Sequence, residues 1–368
     1  MTYRICLVLT LLPVAALVAA ADLPQWSFEQ GTAGWASLDK QAELAPEQAA
    51  GHVYEGAGSL RFSFQARAAA AGELPGAVGA QLPGVVGAKC LHLALQTSVA
   101  GPVVIALRET DESNYMVFTH LSTDEWHVLD LPLAQFRLDE HGQDENGQLD
   151  ARQINGLVIA DPGVFLSQAV ATGSFPFFYN RPSQRTLWVD EVEFLAGWPN
   201  RLAEPQLPGT VMIEDCDSDP AYFMVFGGRD LRASSCPDPA VRGKSLRLDY
   251  TLPANTLLAA MCQTAAGALT GARGITFSVR SGAALPLLVL IEEEDRSRYQ
   301  KVIELEAGHW QAPVITWADM TLTDDSQDPD AGLQPETIRS IGFVDASALV
   351  GQKETANTLW LDEITTAP

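Results

Sequence analysis

Thr186-Leu187-Trp188-Val189-Asp190-Glu191-Val192 returns at the end of the chain as Thr358-Leu359-Trp360-Leu361-Asp362-Glu363-Ile364. Each copy sets β-branched and aromatic residues around one acid, the composition of a closing strand. If each copy ends a domain, landmarks upstream of the first must recur upstream of the second at a steady offset. Glu109-x-Asp111-x-Ser113-x-Tyr115 returns as Glu293-x-Asp295-x-Ser297-x-Tyr299, a shift of 184 residues. Trp126, Leu149, Ile154 and Asp161 find Trp310, Leu333, Ile338 and Asp345 at the same shift of 184. Nearer the starts, Ser59-Leu60-Arg61 matches Ser245-Leu246-Arg247 at 186, and Phe28-Glu29 matches Ile213-Glu214 at 185. Landmarks in fixed order at nearly fixed spacing mark a duplicated domain, and a period this long means tandem globular units and not a solenoid.

Strand-like runs fill the first unit: Ser59–Gln65, Leu91–Thr97, Val103–Arg108, Tyr115–His120, Trp126–Leu131, Gly156–Ile159 and Leu187–Phe194. The second repeats them with Ser245–Tyr250, Ile275–Arg280, Leu287–Glu292, Tyr299–Glu304, His309–Ile315, Ile341–Val344 and Leu359–Ile364. Alternation is plain in Leu60-Arg61-Phe62-Ser63-Phe64, the period of a strand with one buried face. Only short helices are expected, as near Ala151–Ile154. The pattern predicts an all-β chain of two tandem antiparallel β-sandwich (jelly-roll) domains. Module 1 runs over 22–197, a proline-rich linker over 198–209, and module 2 over 210–368.

Residues 1–21 read as a secretory signal peptide: Arg4, then an apolar run to Ala21 with small residues at its end. A secreted or periplasmic location is therefore expected, with no membrane span after cleavage. Loss of Arg4 leaves 22 basic against 46 acidic residues, a formal charge of −24. A field of that sign repels phosphate backbones, so nucleic acid is not an expected partner, and it favours cations and neutral ligands. Export permits disulfides. Cys216 and Cys236 bracket one loop-like stretch and are candidates to pair; the alternative is that all four remaining cysteines are small buried hydrophobes. None sits in a CxxC or at zinc-ligand spacing.

Phe28-Glu29 with Trp35 soon after, Gly58-Ser59-Leu60-Arg61, Asp111-x-x-x-Tyr115, a Trp126 strand ahead of Leu131-Pro132-Leu133 and the closing Leu187–Val192 run together resemble the galactose-binding-like jelly rolls. Within them the chain looks most like the carbohydrate-binding modules of polysaccharide-degrading enzymes, in two tandem copies. The resemblance implies a structural calcium where the first strand meets the last, held by Glu29 with Asp190 and by Glu214 with Asp362. Calcium takes six to eight oxygen ligands, and two acids converging from distant strands would supply its charged ones. The acidic loops Asp139–Asp150 and Asp324–Asp330 are read as solvated, with calcium there a fallback.

No nucleophile or acid/base signature supports catalysis. The recurring acids, Glu109 with Asp111 and Glu293 with Asp295, lie beside Ser and Tyr where a turn explains them; a glycoside hydrolase remains the weakest of the readings. Trp126 and Trp310, in mid-strand, are read as core. The copies differ most after the matching aspartates. The first has Pro162–Arg185, 24 residues, where the second has Ala346–Asn357, 12 residues. The longer loop gathers Phe178, Tyr179, Asn180 and Arg181, a stacking and hydrogen-bonding set on an inserted segment. With Tyr115 and Asp111 these are the expected contacts of an exported, non-catalytic protein that binds a neutral glycan. The alternative is a cell-envelope scaffold docking a protein partner on the same loop.

Overall fold

The computed structural model describes residues 23–67, 74–139, 142–144, 146–164, 182–197, 210–217, 222–329, 332–351 and 353–367. The expected leader and linker, and Phe178, Tyr179, Asn180 and Arg181, lie outside the described residues. Each half of the chain is a sandwich of two antiparallel sheets around its own core.

In the first module the sheet that carries the closing strand runs, in order, Glu43–Glu47, Ser59–Gln65, Gln184–Leu195, Cys90–Thr97 and His127–Pro132, with Gln25–Trp26 paired to Gln184–Leu195. The facing sheet runs Arg137–Leu138, Asn114–Leu121, Gly101–Glu109, Ile154–Ala160, Ala77–Gln81 and Ala36–Ser37. In the second module the closing sheet runs Arg229–Cys236, Ser245–Leu252, Thr355–Ala367, Gly274–Ser281 and Trp310–Gln311, with Met212–Glu214 and Val314–Thr316 beside it. Its facing sheet runs Phe223–Gly227, Leu258–Gln263, Ile338–Asp345, Leu285–Glu293, Arg298–Leu305 and Thr321–Leu322. Every strand expected from the alternation is present. The single run expected over His309–Ile315 is instead two short strands, broken at Ala312-Pro313 where proline cannot donate to a ladder. Ala151–Ile154 forms a turn into a strand and not a helix. Ala77–Gln81 and Leu258–Gln263, short and rich in small residues, were not legible as strands.

The modules meet along one surface. Strand Phe223–Gly227 lies against Asn114–Leu121 and Gly101–Glu109 of the first facing sheet. Tyr222 is 7% exposed and belongs to the first module's core cluster, although its chain neighbours build the second. Its hydroxyl donates to Asp130 O at 2.6 Å and lies 3.3 Å from Asp130 N. Gln263 Oε1 accepts from Phe118 N at 3.1 Å, Ser122 donates to Ala233 O, and Arg137 pairs with Glu294 at 2.7 Å. Burial patterns follow from this docking. Gly101–Glu109 is buried at every position, whereas its counterpart Leu285–Glu293 alternates between buried and half-buried, as a sheet with one open face must.

Candidate functional site

Glu109, Asp111 and Asp144 bring carboxylate oxygens within 4.8 Å of one another at the edge of the first facing sheet. Glu109 is held from the chain side by Asp150 N at 2.5 Å and by the Ser113 hydroxyl at 3.0 Å, and burial pushes its carboxyl up. Tyr115 donates to Asp144, which lowers the Asp144 carboxyl. Tyr115 itself is 1% exposed and its ring sits in the core, so it is not a ligand contact as expected; Asp111 is exposed. The duplicate repeats the design: Gln334 N donates to Glu293, Ser297 to Asp295, and Tyr299 to Asp328. Backbone and hydroxyl donors position these acids in both copies, and in the first module the three carboxylates also lie close enough to share a cation.

The acids at the closing strands accept backbone N–H groups from one loop in each module. Asp190 Oδ2 accepts from Tyr54 N at 2.9 Å and Glu55 N at 3.3 Å, while Glu29 Oε1 accepts from Ala57 N at 2.8 Å. In the second module Asp362 Oδ2 accepts from Val241 N at 2.7 Å and Arg242 N at 3.2 Å, and Asp217 Oδ1 from Lys244 N at 2.5 Å. Asp217, and not Glu214, therefore stands where Glu29 does. Glycines make the same point: a Cβ on Gly56 would sit 1.9 Å from Glu29 Oε1, and one on Gly243 2.0 Å from Asp217 Oδ1. Glu214 pairs with Ile364 as Trp26 pairs with Val192, so its counterpart is a tryptophan. Phe28 and Cys216, both in left-handed backbone just before the acid, are likewise equivalent. That explains the cysteines. Cys216 is a fully buried core residue in a phenylalanine's place, all four described cysteines are free thiols, and the Cys216–Cys236 pair is not formed.

The two acid sites differ in fit for a cation. Both oxygens of Asp190 are bonded to backbone N–H groups. In the second module Asp362 Oδ1 and Asp215 Oδ2 are buried without a hydrogen-bond partner. Burial pushes Asp362 up to about 6 and Glu214 up to about 8. Orphaned carboxylate oxygens beside a buried acid are what a hard cation would satisfy. Those oxygens do not gather around one point, however: among the described residues, the acids close enough to share a cation are Glu109, Asp111 and Asp144.

A second duplicated constellation lies on the outward face of each closing sheet. Residues directly opposite in neighbouring strands share a face, and in module 2 the register Arg247, Trp360, Arg280, Trp310 forms one row across four strands. Arg247 Cζ is 5.7 Å and Arg280 Cζ 5.1 Å from the Trp360 ring centre. In module 1 the row is Arg61, Trp188, Gln96, continued by Trp126. Trp126 and Trp310 are thus half-buried outward residues, not core as expected. Alternation marks a strand but does not say which face an isolated tryptophan takes.

The same loop crosses both rows with different side chains. Ser59 donates to His52 O, and Ser245 to Pro239 O at 2.7 Å, which matches His52 to Pro239 and, through the aspartate contacts, Tyr54 to Val241. In module 1 the His52 ring stacks on Trp188 with centres 4.0 Å apart and planes within 5°. Gln96 fixes it there, through His52 Nδ1 at 2.7 Å and Gly51 O at 3.3 Å. Tyr54 packs on Trp126 at 5.9 Å. Trp188 is 7% exposed, while Trp360 keeps more of its surface open.

No family model matches the chain, and no curated protein matches it. Solved structures of similar shape were found. They include carbohydrate-binding modules and agarases. The tandem pair of family 22 modules from Paenibacillus barcinonensis Xyn10C covers 95% of this chain and 99% of its own, at 12% identity and a TM-score of 0.31. The family 11 module from Clostridium thermocellum in complex with a β-1,3-1,4-mixed-linked tetrasaccharide covers 44% of this chain and 96% of its own, at 18% identity and a TM-score of 0.36. The agarase AgWH50C matches over 44% of this chain and 25% of its own length, at 12% identity and a TM-score of 0.31. At these identities the likeness is one of fold.

Proposed function

We propose that the protein is an exported, non-catalytic glycan-binding protein whose ligand lies across the outward face of a closing sheet. The observation that carries this reading is the row of tryptophans interleaved with guanidinium and amide groups, present in both modules. Sugar rings offer C–H faces to an indole and hydroxyls to in-plane N–H donors. Trp360 and Trp310 stand two strand spacings apart, roughly 10 Å, the reach of a disaccharide unit. Binding by stacking and hydrogen bonding leaves every bond intact, in keeping with acids that are committed to backbone donors. A structural calcium is part of the proposal, at Glu109, Asp111 and Asp144, whose carboxylate oxygens lie within 4.8 Å of one another.

A second reading, a cell-envelope protein that docks a protein partner, draws support from the outward side of the second facing sheet. There Val302 is 52% exposed opposite Leu288. A glycan array probed with the purified chain, with calcium and again with chelator, separates the two. Selective retention of one glycan class, lost in Trp360→Ala, supports the glycan reading. Retention of none by a folded chain rejects it and turns the search to protein partners.

A further inference from the structure

We infer that the row on the second module is the open binding site and that its ligand is an acidic glycan, one bearing uronate carboxylates. The inference rests on the glycan reading above and departs from the neutral ligand that the net charge favours. Three observations carry it. The first module fills its own site: His52 lies parallel on Trp188, pinned by Gln96, and so occupies the place of a stacked ring. The second module keeps the loop but presents Pro239 and Val241 in place of His52 and Tyr54, and among the described residues no aromatic ring stacks on Trp360.

The row's charges are unequal. Arg61 pairs with Glu43 at 2.6 Å, and Arg247 pairs with Asp249 at 2.8 Å and again at 3.0 Å. Arg280 stands where Gln96 does. It has no carboxylate partner among the described residues; its contact is the Trp360 ring, and its Nε has no hydrogen-bond partner. In a chain with 46 acids against 23 bases, a guanidinium left without an acid at the centre of an aromatic row is a charge reserved for something else. A guanidinium stacked on an indole keeps its in-plane donors free, and a carboxylate is the planar acceptor that fits them in a two-point bond.

Chemistry also gives the polarity of the site. The uronate carboxylate reaches Arg280, which Trp360 holds in place, and a later ring along the chain stacks on Trp310. Thr358 and Asp249, bonded to each other at 2.7 Å on the next row, stand beside it to meet hydroxyls.

Affinity electrophoresis and calorimetry of the full chain against polygalacturonate, a neutral mixed-linkage β-glucan and dextran sulfate test this. Polygalacturonate is expected to bind best, with affinity falling as salt rises. Arg280→Gln should weaken it by about tenfold or more, and Trp360→Ala should abolish it. Arg298→Gln, on the facing sheet and already paired with Asp325 at 2.7 Å, should leave affinity unchanged. Melting curves of each variant establish folding. Equal binding of neutral glucan, preference for dextran sulfate over the uronate, or indifference to Arg280→Gln overturns the inference and leaves the glycan reading standing. Binding to none of the three overturns both.

Discussion

The two closing sheets carry the same row and the same loop, yet one row is sealed and the other is open. In module 1, Gln96 spends its amide on the chain's own loop, and His52 becomes part of the fold. In module 2 the loop keeps its anchor, Asp362 in place of Asp190, but takes another path, with a cis Asp238-Pro239 peptide where module 1 has a 3-10 turn at Ala50–His52, and lays different side chains over the tryptophan. Duplication therefore conserved the scaffold contacts, which are backbone to carboxylate, and let the side chains above them diverge. A binding face is made here by removing a cap, not by adding a cleft.

The comparison breaks most easily at the tryptophans. Trp188→Ala should cost about 3 kcal/mol in urea unfolding, since the ring is buried between its own sheet and His52. Trp360→Ala should cost less than about 1 kcal/mol, because a half-exposed ring leaves no closed cavity. Equal costs would mean that the second row is as sealed as the first.

Acidity separates the modules next. Burial holds Glu214 at about 8 and Asp362 at about 6, both above the ordinary carboxylate range. The folded state keeps protons that the unfolded chain gives up. This contribution is complete below the unfolded pKa near 4 and is lost as pH rises through 6 and on through 8. The protein should melt lower at pH 8 than at pH 5. Trp26, in Glu214's place, removes that buried acid from module 1. Asn at 362 should flatten the profile; an unchanged slope in Asp362→Asn would refute the assignment.

Smaller effects sharpen the comparison. His52→Ala removes one stacked ring and should cost about 1 kcal/mol, while raising the accessibility of Trp188 to acrylamide quenching. Arg61→Gln breaks an exposed ion pair and should shift stability by no more than about 0.5 kcal/mol.

The sandwich architecture was legible because it is written twice. Landmarks such as Glu109 and Tyr115 recur as Glu293 and Tyr299, and strand periodicity needs only local order. The site was less so. Trp126 and Trp310 read as core, since the face of a strand residue depends on register with strands far away in sequence. Glu214 was matched to Glu29 because both follow an apolar residue and precede a turn. The true match, Asp217, hides behind a Phe28-to-Cys216 exchange, and that exchange also made a core thiol look like half of a disulfide. A sharper signal was present: Gly56 and Gly243 follow the loop at matching places, and each is required by the carboxylate packed on it.

Tyr222 gives the tandem a direction in time. The first module's sequence ends some residues before this side chain, so a growing or threading chain exposes the whole first module before the residue that completes its core. Until Tyr222 reaches Asp130, the gap between the first module's sheets stays unsealed, next to a facing sheet whose outward side is also apolar. The first half cut loose should therefore behave as a sticky, incomplete body.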